Sequence, residues 1–465
     1  MAVFPAPLQT LINFYRDREY FQQLRRLAIP IVIQQIILSS LNMVGVIMIG
    51  QKGETAVAAV GLANQVFFLL TLVLFGIGNG SAMFTAQLWG KRDIPNLRKV
   101  LSLGLLLGLL VSVVFLLLAE LLPAQIMGIY SRDPQVIALG SEYLRIFGWA
   151  FIFFAITNTY SLILRSIGDV RLPMFVSAAA LSVNLLLSYS LIFGKFGLPA
   201  MGVPGAAVAV LVSRLLECGT LLTLTYRRRS PVAATLHELL TFDFAFIINV
   251  LKPVLPVALN EFLWSMGITA YNVVYARIAT GALAAINMVA AIDNLTFAFI
   301  SGIANATAIM VGHQIGSNEE EAAFTYAGRS LGLGAATGMA LGGISLLGAG
   351  SVLALYKVSP SVLENAHRIL IIFALFLWLR AMNTIMVLGV LRSGGDTRFC
   401  LFLDGVIIWI IGVPAAFAGA FIFHLPVYWV YLLVMSEEVS KWIISLPRFF
   451  SRRWIHDLTQ SVDAG

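Results

Sequence analysis

The run GLLLGLLVSVVFLLLA, residues 104–119, contains no charged side chain and one serine. With its neighbours it forms an apolar segment of about twenty residues, the length that an α-helix needs to cross the roughly 30 Å of hydrocarbon in a bilayer. Other long apolar segments surround 206–225 and 369–378. Backbone amides in hydrocarbon must be hydrogen-bonded within their own segment, so these segments are predicted to be transmembrane helices.

The composition of the whole chain agrees with this prediction. Of its 465 residues, 59% are hydrophobic and 11% are charged, and the mean hydropathy is +0.90, whereas a soluble domain carries about 25% charged residues. The net charge of +7 could suggest a nucleic-acid partner, but the basic residues fall in short loops between apolar runs. No nucleic-acid partner is therefore expected. Cys218 and Cys400 lie inside apolar segments, which disfavours a disulfide or a metal site.

Twelve transmembrane spans are predicted from the apolar runs. The first run begins near Leu27 and lacks a small-residue cleavage site, so no cleavable signal peptide is expected. The predicted spans are 27–50, 56–88, 100–122, 136–164, 172–194, 204–226, 250–276, 281–314, 324–356, 366–391, 398–423 and 426–446.

These spans divide the chain into lobes and connecting regions. Residues 1–26 mix apolar and arginine side chains, which is typical of an amphipathic segment at the cytoplasmic interface. An N-lobe of spans 1–6 covers 27–226, and a C-lobe of spans 7–12 covers 250–447. A polar cytoplasmic linker, 227–249, joins the lobes, and 448–465 form a cytoplasmic tail.

Lysine and arginine residues indicate the orientation of the chain. If both termini are cytoplasmic, the inner loops and termini hold about twenty basic residues and the outer loops about seven, which is the bias expected of cytoplasmic loops. The inner group then includes Arg165, Arg392 and the triplet Arg227 to Arg229, whereas Arg132 lies outside. Both termini are therefore predicted to be cytoplasmic.

The two halves of the sequence repeat each other. AVAAV at 56–60 matches ALAAI at 282–286, and GIGNGSA at 76–82 matches GIANATA at 302–308; Pro30 likewise matches Pro256, and all three pairs have the same spacing along the chain. In a fourth pair, LRSIGD at 164–169 and LRSGGD at 391–396, the spacing is longer by a single position.

This repeat predicts the fold class and favours one class of function. Each half has six spans, an even number, so both halves have the same orientation. We therefore expect an all-α integral membrane protein with twelve transmembrane helices, in two six-helix lobes related by pseudo-two-fold symmetry along the membrane normal. Transporters with such repeats bind their substrates between or within the lobes near the bilayer midplane. The repeat thus favours a transporter over a membrane enzyme.

Charged residues inside the predicted spans are candidates for function, because a charge at the bilayer centre costs at least about 2.5–3.5 kcal/mol. Glu261 lies near the middle of span 7, and beside it Asn260 offers an amide. A carboxylate with oxygen ligands around it can bind Na⁺ or take up a proton. Asp293 and Asp404 are further candidates for cation coupling. Arg380 would partly neutralise these acids and is interpreted as a structural charge.

The remaining polar residues of the spans fall into two groups. Arg214 and Glu217 are spaced i,i+3, which allows a structural ion pair along one helix. The second group consists of amide and aromatic residues that could line a substrate cavity or hold helices together. Gln34 and Gln35 occupy the place in the first half that Asn260 and Glu261 occupy in the second. The candidate cavity residues are Gln34, Gln35, Asn42, Asn64, Asn184, Asn260, Trp264, Tyr271, Asn272, Asn287 and Asn294.

Several motifs, in the order in which they occur along the chain, resemble those of the multidrug and toxic compound extrusion (MATE) family over about 24–455. They include LNMVGVIMIG in span 1, AVAAVGLANQ in span 2, LPVALNEFLWSMG in span 7 and the two LRS motifs. The resemblance implies twelve helices in two lobes around a central cleft. It also implies export of small organic cations or drugs in exchange for H⁺ or Na⁺, without a cofactor, by a monomer in a cell (inner) membrane.

The chain departs from the family pattern in its first half. Many members carry an acidic residue in span 1, which aligns with Gly45 here, and another in span 5, which aligns with Ser188. A cation site in the N-lobe is therefore not expected. The family acid of span 7 is present as Glu261, in agreement with the charge distribution.

Other functions are weighed against this one. No Walker A pattern is present and no HExxH or GxSxG pattern stands out, so an ATPase or a hydrolase is not expected. A major facilitator would show a Gly-rich charged signature between spans 2 and 3, which is missing. The alternative that stays open is a flippase or exporter of lipid-linked precursors or other metabolites from the same superfamily. It would need a cationic cavity for a phosphate group. The sequence leaves open the choice between Na⁺ and H⁺.

Overall fold

The computed structural model describes residues 14, 17–235, 237–238, 243–354, 356 and 358–460, and within these the side chains of 41–43 are not described. Most of the predicted amphipathic segment 1–26 therefore lies outside the described residues. Every element assigned in the described part of the chain is a helix. The helices are α1 Arg18–Gly50, α2 Glu54–Lys91, α3 Ile94–Leu121, α4 Pro123–Tyr130, α5 Pro134–Gly148, α6 Ala150–Ser166, α7 Arg171–Phe193, α8 Val203–Arg227, α9 Phe244–Ile278, α10 Thr280–Gly316, α11 Glu320–Leu353, α12 Pro360–Leu391, α13 Thr397–Ile422 and α14 Val427–Phe450.

These helices account for the twelve predicted spans. Ten of the described helices are long and apolar enough to cross a membrane, and α5 with α6 forms an eleventh span that bends by 47°. The twelfth, α14, is 24 residues long and contains Glu437, Glu438 and Lys441. These charges make it less apolar than the others, but their side chains are paired within the protein, which removes most of the cost of placing them in hydrocarbon.

The starts of several helices follow directly from the sequence. Asp93 accepts a hydrogen bond from the backbone N–H of Asn96 at the start of α3, and Asp133 accepts one from Gln135 at the start of α5. Aspartate in this position satisfies amides that have no partner within the helix. A proline follows each cap, where its missing N–H costs nothing.

The chain packs as two compact units. One unit consists of the described residues of Ile33–Ala258, and the other combines the described residues up to Val32 with those from Leu259 onwards. The beginning of α1 thus packs with the C-terminal half and the beginning of α9 with the N-terminal half. The two division points correspond to each other in the repeat, because each lies just after the matching proline of its helix, Pro30 or Pro256. The packing units differ in this respect from the lobes expected at 27–226 and 250–447.

Helix neighbours within the two units correspond pair by pair. In the N-terminal unit α2 packs on α3 and α6, α3 packs on α6, and α8 packs on α6 and α7. In the C-terminal unit the equivalent helices α10, α11, α12, α13 and α14 make the same set of contacts. The internal repeat found in the sequence is therefore a repeat of packing.

A glycine in each repeat allows the exchanged helix beginnings to pack closely. A Cβ atom at Gly76 would collide with the backbone of Ala258, and one at Gly302 would collide with the side chain of Val32. Gly76 and Gly302 begin the matching motifs GIGNGSA and GIANATA, and Val32 and Ala258 correspond to each other at the same repeat spacing. Glycine is needed here because the neighbouring helix leaves no room for a side chain.

The chain after α14 folds back onto the turn between α12 and α13. Trp454 is fully buried against Gly394, at a position where a Cβ atom would not fit, and the backbone N–H of His456 donates to the carbonyl of Gly394 at 2.8 Å. The residue equivalent to Gly394 in the first half is Ile167. Glycine at this position in the second half, in place of the isoleucine of the first half, therefore explains how the segment that contains Trp454 fits at this turn.

We expect Gly76→Ala to lower the apparent melting temperature of the purified protein, because the new methyl group would collide with the backbone of Ala258. Overpacking of this kind costs about 1–3 kcal/mol. The matched control is Gly61→Ala, on the exposed side of the same helix with no atom within 4 Å of the added Cβ. The Gly61→Ala variant should have a melting temperature equal to or higher than that of the wild type, because alanine forms helices better than glycine does. Equal melting temperatures for the two variants would contradict the close contact at Gly76.

Candidate functional site

Charged and polar side chains of five helices form a connected group inside the C-terminal unit, here called the C-terminal cluster. It contains all three acids that the sequence analysis proposed for cation coupling. The helices that supply it are α9, α10, α12, α13 and α14. Its ionisable members are Glu261, Asp293, Arg380, Arg392, Asp404, Glu437, Glu438 and Lys441.

Glu261 is paired with one arginine. Arg392 donates from Nη1 to Glu261 Oε1 at 2.8 Å, and the Arg392 side chain is 7% exposed. The distribution of basic residues predicts Arg392 in a cytoplasmic loop, whereas its guanidinium contacts Glu261 on α9. Arg392 follows a π-helical stretch, Ile385–Leu391, of a type often found at functional sites.

Asp404 and Glu437 share a single ammonium group. Lys441 Nζ lies 2.6 Å from Asp404 Oδ1 and 2.6 Å from Glu437 Oε1, and the Lys441 side chain is 4% exposed. Tyr271 donates a hydrogen bond to the second oxygen of Glu437. Asn260 donates to Asp404 at 3.4 Å, and its own carbonyl oxygen is buried without a hydrogen-bond partner in the described structure. Two acids therefore face one cation in a buried setting.

Arg380 is likewise shared by two acids. Its two terminal nitrogens donate to the two oxygens of Asp293 at 3.2 and 3.1 Å, and its Nε lies 3.7 Å from Glu438. Asn383 donates to Glu438 at 2.7 Å, and the Asn383 carbonyl oxygen is buried without a partner in the described part of the chain. The sequence interpretation of Arg380 as a charge that offsets nearby acids agrees with this geometry, although it offsets only some of them.

The C-terminal cluster carries an excess of acid. It contains five carboxylates and three basic groups, which is a formal excess of two negative charges. The Glu261–Arg392 pair is balanced, so one excess charge belongs to the group around Lys441 and one to the group around Arg380. Unpaired charge in a dry interior is costly, and a proton or a bound cation in each group would remove the cost.

The first half contains the counterpart of the Glu261 pair. Arg165 donates from Nη2 to Gln34 Oε1 at 2.7 Å. Gln34 and Glu261 have the same spacing along the chain as Arg165 and Arg392. The two halves therefore keep the arginine and change its acceptor from an amide to a carboxylate, although the spacing of Pro30 and Pro256 places Gln35, not Gln34, opposite Glu261.

Arg214 and Glu217 pair along α8 in the N-terminal unit. Their charged groups are 2.7 Å apart, and Ser177 donates to the second oxygen of the buried Glu217, also at 2.7 Å. The guanidinium lies over the ring of Phe154. These two charges thus form an ion pair along α8, and Glu217 also links α8 to α7 through Ser177.

The predicted cavity residues differ in their surroundings. Gln34, Asn260 and Tyr271 are buried and hydrogen-bonded to charged groups, as described above. Gln35 and Asn184 are half-buried, and the side chain of Asn42 lies outside the described residues. The exposed members are Asn64, Trp264, Asn272, Asn287 and Asn294.

Four residues of this site are not among the candidates predicted from the sequence. Glu437, Glu438 and Lys441 are charges within an apolar span, at spacings that allow pairing along one helix. Arg392 was visible through its match with Arg165 in the LRS motif. Among the described residues, no group of three His, Cys, Asp or Glu side chains is arranged to hold a metal ion.

Comparison with known proteins identifies the family. The MatE family model matches residues 30–190 and again 256–418, so its two matches begin at Pro30 and Pro256, which correspond in the repeat. A probable multidrug resistance protein NorM of Thermotoga maritima is 25% identical over 458 residues, covering 96% of each chain. A protein of the same name from Bradyrhizobium diazoefficiens is 29% identical, covering 86% of this chain and 87% of its own.

Solved structures agree with the fold. A MOP superfamily transporter of Pyrococcus furiosus, described as having a binding pocket of reversed polarity, superposes with a TM-score of 0.84 at 21% identity and covers 95% of this chain and 97% of its own. An outward-facing MATE family transporter gives a TM-score of 0.82 at 21% identity, with 93% and 96% covered. The predicted fold class, an all-α membrane protein with twelve helices in two lobes, is confirmed. The chain belongs to the MatE family, the multidrug and toxic compound extrusion transporters.

Proposed function

We propose that this chain is a secondary active multidrug efflux antiporter that exports small organic cations or drugs in exchange for Na⁺ or H⁺ by alternating access. Membership of the family and the multidrug resistance names of its relatives support the transport of small molecules. The observation that carries the coupling is the excess of acidic over basic groups in the C-terminal cluster. An antiporter of this kind needs no enzymatic activity and no cofactor besides the coupling ion.

The charge balance favours particular acids as the coupling site. Glu261 has a basic partner to itself, whereas Asp404 shares Lys441 with Glu437, and Asp293 shares Arg380 with Glu438. A coupling cation would be held where the negative charge is in excess. We therefore propose Asp404 and Asp293, with their α14 neighbours, as the principal coupling acids, and Glu261 as a balanced acid beside them.

Export of the organic cation is coupled to entry of the ion if the two cannot bind the same carboxylates at the same time. Entry of the ion then releases the substrate, and its inward movement supplies the energy. One elementary charge that moves through 100 mV provides about 2.3 kcal/mol. The carboxylates can accept protons, and the unpartnered carbonyl oxygens of Asn260 and Asn383 are ligands of the type that Na⁺ binds. Either ion is compatible with this site.

We expect Glu437→Gln and Asp404→Asn to abolish gradient-driven export, because each removes the excess charge at Lys441 while keeping the side-chain shape. The measurement uses proteoliposomes loaded with ethidium, to which a Na⁺ gradient and a pH gradient are applied separately. In the wild type, the gradient that moves the dye identifies the coupling ion. In both variants, dye movement should fall to that of protein-free liposomes.

Glu364→Gln serves as the control for loss of a carboxylate, because Glu364 pairs with Arg368 at an exposed position of α12. It should transport like the wild type. Glu261→Gln separates the two coupling models: if this variant loses the response to the gradient while Glu437→Gln keeps it, coupling runs through Glu261 and the assignment to the shared acids is wrong. Absence of transport of any tested cation by the wild type would contradict cation export itself.

We further propose a monomer in the cell (inner) membrane with both termini cytoplasmic, as the distribution of Lys and Arg indicates. Cys218 and Cys400 are buried and can be replaced by serine to give a cysteine-free background. In right-side-out vesicles, a membrane-impermeant maleimide should label Arg132→Cys and leave Arg228→Cys unlabelled. Both positions are exposed in the structure. The opposite labelling pattern would reverse the proposed orientation.

A further inference from the structure

Arg165 is half-buried and differs from Arg214, Arg380 and Arg392 because its hydrogen-bond partner is neutral. In the described structure no carboxylate lies within ion-pair distance of it, whereas Arg392 and Arg214 each have one and Arg380 has two. The partner of Arg165 is the amide of Gln34, which is 5% exposed. The N-terminal unit therefore holds a guanidinium charge that this part of the protein does not neutralise.

The position of this charge makes the imbalance costly. Gln34 lies about 10 Å along the axis of α1 from Leu27, where the apolar run begins. Arg165 stands in the last turn of α6, and the carbonyl groups of a helix end supply only about half an elementary negative charge. No carboxylate among the described residues lies within ion-pair distance to offset the remainder, and a charge close to hydrocarbon is stabilised by such a partner.

The hydrogen bonds of Arg165 are also incomplete. Nη2 donates to Gln34, and Nε–H is buried without an acceptor in the described part of the chain. A guanidinium presents its N–H groups in a planar fork that fits the two oxygens of a carboxylate or a phosphate. Charge and hydrogen-bonding geometry thus require the same kind of partner.

We propose that Arg165, oriented by Gln34, binds an anionic group in the N-terminal unit: the carboxylate or phosphate of a substrate, or the phosphate of a membrane lipid. The repeat supplies the reason for the difference between the halves. At the corresponding place Glu261 accepts from Nη1 of Arg392 and neutralises its charge from within the protein, although Nε–H of Arg392, like that of Arg165, has no acceptor in the described structure. With glutamine in the first half, the charge of Arg165 is left for a ligand to neutralise. This proposal concerns binding and stands apart from the proposed coupling to a cation.

Binding of two probes by the purified full-length protein tests the proposal. Inorganic phosphate, measured by calorimetry in detergent, reports an anion that arrives from water. Phosphatidylglycerol, counted by native mass spectrometry after release from nanodiscs that also contain phosphatidylcholine, reports a lipid. We expect the wild type to bind at least one of them saturably with one site per chain, and the arm that responds identifies the source.

The variants use the difference between the repeats. Gln34→Glu is nearly isosteric and gives Arg165 an internal partner, so it should weaken binding at least about tenfold, as expected when the ligand loses a hydrogen bond to a charged group. Arg165→Gln should have the same effect. Glu261→Gln should add a second site, because it leaves Arg392 with a neutral partner.

Gln65→Glu is the control, since it adds the same charge to an exposed position of α2 in the same unit. It should bind the probe like the wild type. Unaltered binding by Gln34→Glu overturns the proposal, as does the absence of saturable binding of both probes to the wild type. Size-exclusion profiles of the variants establish that they are folded. Because no step measures transport, these results are independent of the cation-export experiment.

Discussion

A carboxylate, ammonium or guanidinium group within a bilayer must find its counter-charge inside the protein, because the lipid tails supply none. This constraint determines how the charged side chains of the C-terminal unit are arranged. Every acid of the C-terminal cluster contacts a basic group from another helix or from its own helix, and these contacts tie α9, α10, α12, α13 and α14 together. The same contacts that stabilise the helices leave a defined shortage of positive charge. Structural stability and the capacity to hold a cation thus depend on one set of residues.

The internal repeat shows how one arrangement can acquire two chemistries. In both halves an arginine from the LRS motif reaches the first helix of that half, and the distance between donor and acceptor is nearly the same, 2.7 and 2.8 Å. The change of a single acceptor from amide to carboxylate decides whether the arginine is neutralised. The turn after this arginine has diverged as well, since Ile167 in the first half corresponds to Gly394, which packs against Trp454. Packing is therefore conserved between the halves, whereas charge and peripheral contacts are not.

Much of the fold could be predicted from the sequence, because apolar length and the repeat spacing are local or periodic signals. The spans, their number and the correspondence of the halves follow from them. Partners across helices could not be predicted in the same way. The sequence shows Lys441 in an apolar run, but nothing in its neighbourhood indicates that it lies between Asp404 and Glu437. Arg392 is expected in a loop because its backbone lies at a helix end. Hydropathy does not report the direction of a long side chain, so the contact of Arg392 with α9 could not be predicted from it. The exchange of helix beginnings could not be predicted from the sequence either. The residues around Gly76 and Gly302 do not indicate which chain segment these glycines contact.

The exchange of helix beginnings also bears on the order in which the protein can be completed during synthesis. The N-terminal unit has all its helices once the ribosome has passed Ala258, whereas the segment before Val32 belongs to a unit whose last helix ends at Phe450. At a translation rate of about 5–20 residues per second, the beginning of α1 must remain in the membrane for tens of seconds before its packing partners exist. During that interval its polar residues need temporary hydrogen-bond partners. Water at the interface, lipid head groups or the insertion machinery can supply them. The earliest part of the chain to be made is thus among the last to reach its final contacts.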